Sequence, residues 1–387
     1  MARVVYASYN PFTKEVWVGA HYYSSLFARH GHRVMYLADA DFIFHHFDRR
    51  KHVWEGRKEW FYQRKQGTVH ISPGLTQLVP ESFLPVLNKV WPFNTSFAAA
   101  TSVKITWPRV HWNIRRLGFN RPDIFWLENA KYVYLADRIK PALMVQRVHD
   151  QTLASPVETH LKNLFIRSLR KSHHIFCMSK SLMQDYVLEL SGDPSKVHYL
   201  PNGVAAKWFE VPEIINEPDD LKDIPGPRVI MVGVFEFWVD YPKLWSLAEK
   251  MPNLSFVMVG PVRVVLPNNK PKNIHFLGKK PHDQLPAYLR HSQLGLSIFK
   301  RMPFTEYVNL IKLYEYLAMG LPAVSTAHRE LQMIQAPWLL ADSVEEFQRA
   351  IQTGLEMRES ERESLVSFAR ENTWEKRFET VLEVLDL

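Results

Sequence analysis

Cysteine is almost missing from this chain: among 387 residues there is one, Cys177. That excludes a disulfide framework and a cysteine-rich zinc site. Cys177 stands in the apolar run HHIFCMS, where a buried strand thiol is expected. Long apolar stretches are missing too. No run reaches the roughly 18 residues that a membrane-spanning helix needs. Met1 leads straight into the strand-like RVVYASY, without the leader pattern of a secreted chain, so an intracellular protein is expected. The 17 histidines show no ligand spacing such as HExxH. His45-His46 and His173-His174 read as loop or strand-start pairs, and no bound metal is expected. Short repeats and low-complexity tracts are absent.

What is present is the material of folded domains. Hydrophobic residues make up 46% and charged residues 23%, which excludes a disordered chain. The length predicts two domains. The net charge of +8 is unevenly spread. Residues 1–200 hold 27 Lys and Arg against 15 Asp and Glu, a net of +12, whereas residues 201–387 hold 21 against 25, a net of −4. The first half is therefore expected to meet an anionic surface. Nucleic acid, anionic lipid and a phosphorylated acceptor all fit that charge.

Apolar strands alternate with amphipathic helical stretches along both halves, the pattern of α/β domains with parallel sheets. Strands are predicted near 3–9, 33–38, 68–72, 123–127, 142–148, 173–178 and 197–200, with helices over 18–30, 130–139, 157–172 and 180–191. The acidic, proline-punctuated stretch 205–227 suits a linker. Beyond it the alternation restarts, with strands at Val229–Gly233, Phe256–Gly260, Ile274–Leu277, Leu294–Phe299 and Pro322–Ser325. Helices are predicted over 241–251, 283–291 and 309–319, and the last amphipathic segments over 343–355 and 360–385. Open sheets of this kind bind ligands at their strand C-termini.

The segment Lys312-Leu313-Tyr314-Glu315-Tyr316-Leu317-Ala318-Met319-Gly320-Leu321-Pro322 carries the chemistry. Lys312 and Glu315 share one helix face. A helix starting near Asn309 puts Lys312 in the first turn, where free N–H groups and the dipole favour an anion. A lysine there suits a diphosphate, and a carboxylate one turn on can accept both hydroxyls of a ribose. Read without its flanking pattern, the same pair would be an ordinary surface Lys–Glu contact.

This segment resembles the nucleotide-binding helix of glycosyltransferases with the GT-B fold. Leu200-Pro201-Asn202-Gly203-Val204, Val232-Gly233 and the closing Asn372-Thr373-Trp374-Glu375-Lys376-Arg377-Phe378 extend the likeness. It implies two doubly wound, Rossmann-like domains facing a central cleft: residues 1–204 for the acceptor, a linker at 205–227, and 228–371 for the nucleotide sugar. Residues 372–387 would form a helix crossing back to the first domain. The implied donor set is Lys312, Glu315, Gly233, Phe235, Phe299 and Arg301, with a UDP-sugar as donor and no metal required.

In the first half, Trp91-Pro92-Phe93-Asn94-Thr95, Phe125-Trp126-Leu127-Glu128 and Gln146-Arg147-Val148-His149-Asp150 resemble landmarks of the xanthan-type bacterial glucuronosyltransferases, glycosyltransferase family 70. The likeness implies Asp150, in an Arg-x-x-Asp setting, as catalytic base of an inverting transfer. His149 is the local rival. Retaining family 4 enzymes carry two glutamates separated by seven residues; here Glu306 and Glu315 are separated by eight. A retaining family 4-type transferase and a non-catalytic nucleotide-sugar-binding subunit are the alternatives. If the donor is UDP-glucuronate, Arg301 or Lys300 is placed to meet its carboxylate.

Residues 49–65 interleave Lys and Arg with Trp54, Trp60, Phe61 and Tyr62, and residues 104–121 repeat the mixture. Such patches dock on anionic membranes or stack on bases; a core helix with a solvated face has the same composition. Arg57, Lys58, Trp60, Arg64, Lys65, Arg115 and Arg116 are the expected acceptor and membrane contacts. The partners expected are a UDP-sugar, a polyprenyl-diphosphate-linked saccharide and an anionic membrane surface, not nucleic acid. The location that follows is the inner face of the plasma membrane.

Overall fold

The two runs of alternating strand and helix fold, in a computed structural model, as two α/β units, Met1–Leu200 and Pro201–Leu387. The structure describes residues 1–12, 17–42, 68–84, 91–93, 95–107, 109–149, 161–212, 215–357 and 359–387.

In the first unit the strands are β1 (Arg3–Ala7), β2 (Arg33–Leu37), β3 (Asp41–Phe42), β4 (Val69–Ser72), β5 (Leu75–Leu78), β6 (Glu81–Ser82), β7 (Thr106–Trp107), β8 (Ile124–Leu127), β9 (Leu143–Val148), β10 (His174–Cys177) and β11 (Val197–Tyr199). Eight of them form one sheet in the order β11-β10-β9-β8-β1-β2-β5-β4. Its pairings are parallel except for β4 on β5. Strand β8, the unbroken apolar run IFWL, is buried throughout, as a parallel strand covered on both faces must be. Trp126 of β8 anchors the core, stacked with Tyr6 and Phe176 at 5.5 Å each. Cys177 is a buried free thiol of β10, its Sγ–H donating to the Ser179 carbonyl. The strand order reverses between β1 and β8, which puts the ends of these two strands at the topological switch point.

In the second unit β12 (Arg228–Val232), β13 (Ser255–Val259), β14 (Ile274–Gly278), β15 (Leu294–Ser297), β16 (Ala323–Thr326) and β17 (Leu339–Ala341) form an all-parallel sheet. Its order is β14-β13-β12-β15-β16-β17. That is the 3-2-1-4-5-6 order of dinucleotide-binding sheets, with the switch point between β12 and β15. The helix Ile311–Ala318 joins β15 to β16 and stops at Gly320, whose φ of +69° ends it in the left-handed turn that glycine favours.

Strands β5 and β17 and the three-stranded sheet β3-β6-β7 are additions to the predicted pattern; the pieces of that small sheet are two residues long, too short for periodicity to register. The predicted segment 360–385 is two helices, Glu359–Arg370 and Trp374–Leu385. Thr373 interrupts it: the Thr373 hydroxyl accepts the Lys376 N–H as an N-cap, while its backbone bridges to Val204. Val204 donates to Asn372 O and accepts from Trp374 N, each at 3.0 Å. A Cβ on Gly203 would lie 2.7 Å from Asn372 O, so only glycine lets these backbones meet. Pro201–Val204 therefore belong to the second unit. The stretch 205–227 packs there as well: Trp208 is buried, Asp220 pairs with Lys280 at 2.5 Å and accepts from Tyr288 at 2.7 Å, and Glu217 pairs with Arg228 at 2.5 Å.

Candidate active site

In the second unit the site is built around bare backbone at two strand ends. Gly233 follows β12 with φ +140°, and Gly260 follows β13 with φ +148°. A Cβ on Gly260 would fall 1.8 Å from Gly233 O, and one on Gly233 would fall 2.8 Å from Lys312 Nζ. Side chains are thus excluded from the place where the lysine head group arrives. Lys312 occupies the first turn of the Ile311 helix, as the sequence predicted, and Leu310 before it offers no capping side chain. The Leu313 N–H folds back onto the Leu310 carbonyl at 3.2 Å, and no side chain caps the first turn, an end that suits an anion. The Lys312 Nζ stands 4.9 Å from the centre of the Phe299 ring, a cation–π contact on a buried phenyl. Burial pushes its ammonium down to about 8, partly opposed by Glu315.

Glu315 is buried one turn later, and its Oε1 lies 3.2 Å from His282 Nε2. The His282 ring meets Trp208 edge-on at 5.6 Å. Sequence reasoning missed His282; it sits in a polar loop, and nothing in its local pattern points at Glu315. The helix itself is pinned by Tyr316. The Val232 N–H donates to the Tyr316 hydroxyl at 2.9 Å, and the ring fills the space where a Cβ on Gly295 would be, 2.2 Å from it.

Two predicted donor residues are engaged elsewhere. Phe235 is fully buried, its ring edge-on to Phe276 at 5.4 Å. Its backbone N–H donates to Pro261 O and its carbonyl accepts from Arg263 N. Its ring and backbone thus shape the loop after β12. Arg301 grips Glu306 with Nε at 2.7 Å and Nη2 at 3.1 Å, and Asp342 with Nη1 at 3.2 Å. Two carboxylates already match its charge. Glu306 also accepts the Arg329 N–H at 2.9 Å, so both of its oxygens are occupied.

In the first unit a second polar cluster lies at the ends of β1, β8 and β9. The buried Glu128 accepts from Tyr6 Oη at 2.7 Å and Ser8 Oγ at 3.0 Å. It pairs with Arg147 Nη1 at 3.3 Å and His149 Nε2 at 3.1 Å. Burial would raise the carboxyl; His149, Arg147 and Tyr6 together overcome that and hold it at about 2. The Arg147 guanidinium is itself buried, 5.0 Å from the Tyr23 ring centre, and a Cβ on Gly19 would strike it at 2.7 Å. His149 Nδ1 lies 3.5 Å from the same guanidinium, so both imidazole nitrogens face the buried pair. The sequence marked Glu128, Arg147 and His149 only as members of two stretches resembling glucuronosyltransferase landmarks, not as one cluster.

Asp150, Arg57, Lys58, Trp60, Arg64 and Lys65 lie outside the described residues. Arg115 and Arg116 are exposed on the helix Val110–Arg116. Among the described residues no three His, Cys, Asp or Glu side chains converge as metal ligands, and no helix is long and apolar enough to cross a membrane.

Solved structures share this architecture over nearly the whole chain. The sucrose-phosphate synthase of Thermosynechococcus elongatus superposes with a TM-score of 0.65 at 12% identity, covering 100% of this chain and 96% of its own. The Anabaena protein HepE, solved with UDP-glucose, gives 0.63 at 11% identity and covers 100% of both chains. The Escherichia coli trehalose-6-phosphate protein bound with UDP-2-fluoro glucose gives 0.66 at 11% identity, covering 100% and 99%. The chain has the GT-B fold. Within this GT-B chain, residues 243–383 match the family described as glycosyl transferase-like. In sequence it is similar to a Bacillus subtilis protein named for teichuronic acid biosynthesis, the glycosyltransferase TuaH, with 24% identity over 189 residues. That alignment spans 46% of this chain and 46% of TuaH, so the chain matches about half the length of this relative.

Proposed function

We propose that this GT-B chain is a glycosyltransferase that moves a sugar from a UDP-sugar to a lipid-linked saccharide, in the synthesis of a cell-surface glycan. The observation that carries the reading is the meeting of Lys312, the uncapped helix N-terminus and the side-chain-free strand end at Gly233. Positive charge and N–H groups there suit a diphosphate, and they stabilise it further as it departs with developing negative charge. Glu315, turned by His282, accepts the ribose hydroxyls with its remaining oxygen. The likeness to TuaH supports a surface polymer as the product, and the UDP-glucose bound to HepE supports a UDP-sugar as the donor.

The transfer proposed is inverting, with Asp150 taking the proton of the acceptor hydroxyl as that oxygen attacks the anomeric carbon. Two observations support this over the rivals. Both nitrogens of His149 face Glu128 and Arg147, so neither is turned toward an acceptor hydroxyl. Glu306 is held through both oxygens by Arg301 and also accepts the Arg329 N–H, which leaves it poorly placed to hold a donor sugar as in a retaining site. UDP-glucuronate, the donor of the xanthan-type enzymes, is the first to test. With Arg301 engaged, Lys300 is the cation left for its carboxylate. The experiment is a screen of UDP-sugars for slow hydrolysis and for transfer to polyprenyl-diphosphate-linked saccharides. A chain that binds no UDP and hydrolyses no UDP-sugar refutes the proposal.

A further inference from the structure

Six of the twelve large apolar side chains exposed among the described residues fall between Phe83 and Trp112. Trp91 is 80% exposed, Phe97 79% and Trp112 63%. Monomers in water rarely leave so many large apolar side chains uncovered within one short stretch of chain. The six belong to adjoining pieces of chain. The Phe83 N–H donates to the Ile105 carbonyl at 3.2 Å, and Trp107 pairs with Glu81 across β6 and β7. The Ile105 N–H returns to Thr101 O, one turn along the helix Ser96–Ser102 from Phe97. Trp91 stands just before the Thr95 cap of that helix.

Cations lie beside Trp112 and over the neighbouring Tyr134. Lys104 and Arg138 lie 5.3 and 5.9 Å from the Tyr134 ring centre, and Arg109 lies 5.6 Å from that of Trp112. Burial and the charges of Arg138, Arg115 and Arg109 hold His111, the ring neighbour of Trp112, below its usual value, so these cations converge on one place. From Ser82 to Pro122 there are six basic residues and no acidic one. A second copy of the chain would bring the same charge to this face and be repelled. Tryptophans with an apolar body and a polar N–H, beside apolar phenylalanines and interleaved with Lys and Arg, match the boundary between headgroups and acyl chains.

We propose that this face seats the protein on an anionic bilayer, with Trp91, Phe97 and Trp112 entering the headgroup–acyl boundary and Lys104, Arg109 and Arg115 on lipid phosphates. The inference deepens the lipid-linked acceptor of the proposed function and rests on that reading for its purpose. It differs from attachment by charge alone in one respect: part of the binding survives salt. Each cation contributes about fivefold and is screened; inserted rings are not.

The test is co-sedimentation of the full chain with phosphatidylcholine vesicles, with and without roughly one-third phosphatidylglycerol. The expected result is binding to the anionic vesicles that about 0.5 M salt weakens without abolishing. The double variant Phe97→Ser, Trp112→Ser removes only exposed side chains and should cut vesicle binding about tenfold or more. Arg115→Glu should remove mainly the salt-sensitive part. Wild-type binding by the double variant overturns the inference. So does binding abolished by salt, or a self-association or an oligonucleotide complex that the double variant loses in place of vesicle binding. UDP titration is run on the same samples: lost vesicle binding with intact UDP binding is the expected pattern. Absent UDP binding in the wild type would instead count against the proposed function.

Discussion

Burial lowers the Lys312 ammonium from its ordinary 10.5 to about 8, and Glu315 pulls it back only in part. A bound diphosphate favours the charged form. UDP affinity is therefore expected to hold below that value and to fall as pH rises through it. The stability trend runs the other way, because the unfolded chain binds more protons between 8 and 10.5, so neutralising this lysine adds stability as pH climbs across that window. Lys312→Ala should weaken UDP binding by roughly 1.5–3 kcal/mol and flatten the pH dependence, with Glu315→Ala comparable at the nucleoside end. Calorimetric titration checks both; unchanged UDP affinity in the pair would remove the nucleotide-site assignment. Glu128 poses the opposite case. Its carboxyl is held at about 2 against an ordinary 4.5, so its contribution is present above 4.5 and lost as pH falls toward 2. Glu128→Gln strands the buried Arg147, which should cost about 3–5 kcal/mol, read as a lower urea midpoint. A midpoint within error of wild type would mean that the pair carries little of the first unit's stability.

Among elements, the helix Ile311–Ala318 depends on a neighbour without a side chain. Gly295 in β15 leaves room for the Tyr316 ring, and Tyr316 ties the helix to Val232 just ahead of the Gly233 cradle. Gly295→Ala must shift that ring. A loss of roughly 1–3 kcal/mol in stability is expected, together with weaker UDP binding, since the displaced helix carries Lys312. Gly320→Ala is the control: at φ +69° it strains the helix end, yet its nearest neighbour is Val366 at 3.7 Å, away from the lysine, so stability should fall with UDP affinity kept. Equal UDP affinities in Gly295→Ala and wild type would show that the ring is not the pin. Much at this scale was legible in sequence, because unbroken apolar runs such as IFWL and VIMV mark parallel strands. The Lys312–Glu315 spacing, the first-turn lysine and the Gly320 stop were equally plain. What could not be read were partners distant in sequence. His282 reaches Glu315 across 33 residues, Glu306 is captured by Arg301 and a helix start, and Phe235 turns inward. Periodicity reports which face is apolar; it does not report which polar group an exposed-looking residue will find.

For the whole molecule, the sharpest prediction separates the two units by task. Asp150→Asn should reduce sugar transfer by about two orders of magnitude with UDP binding intact, whereas Lys312→Ala should lower both. His149→Ala is expected to act on the Glu128 cluster and hence on the stability of the first unit. Near-normal transfer by Asp150→Asn, with transfer lost in His149→Ala, would move the base to His149.

The backbone clasp between Val204 and Asn372–Trp374 bears on how such chains are recombined in evolution. It closes the second unit like a buckle, joining the strap where the unit begins to the last turn before its final helix. A crossover between relatives at the proline-punctuated stretch would split the buckle, taking one half from each parent. A crossover ahead of Pro201 would carry both halves together, so an exchange that keeps the second unit whole has its cut some residues upstream of where composition alone would place it.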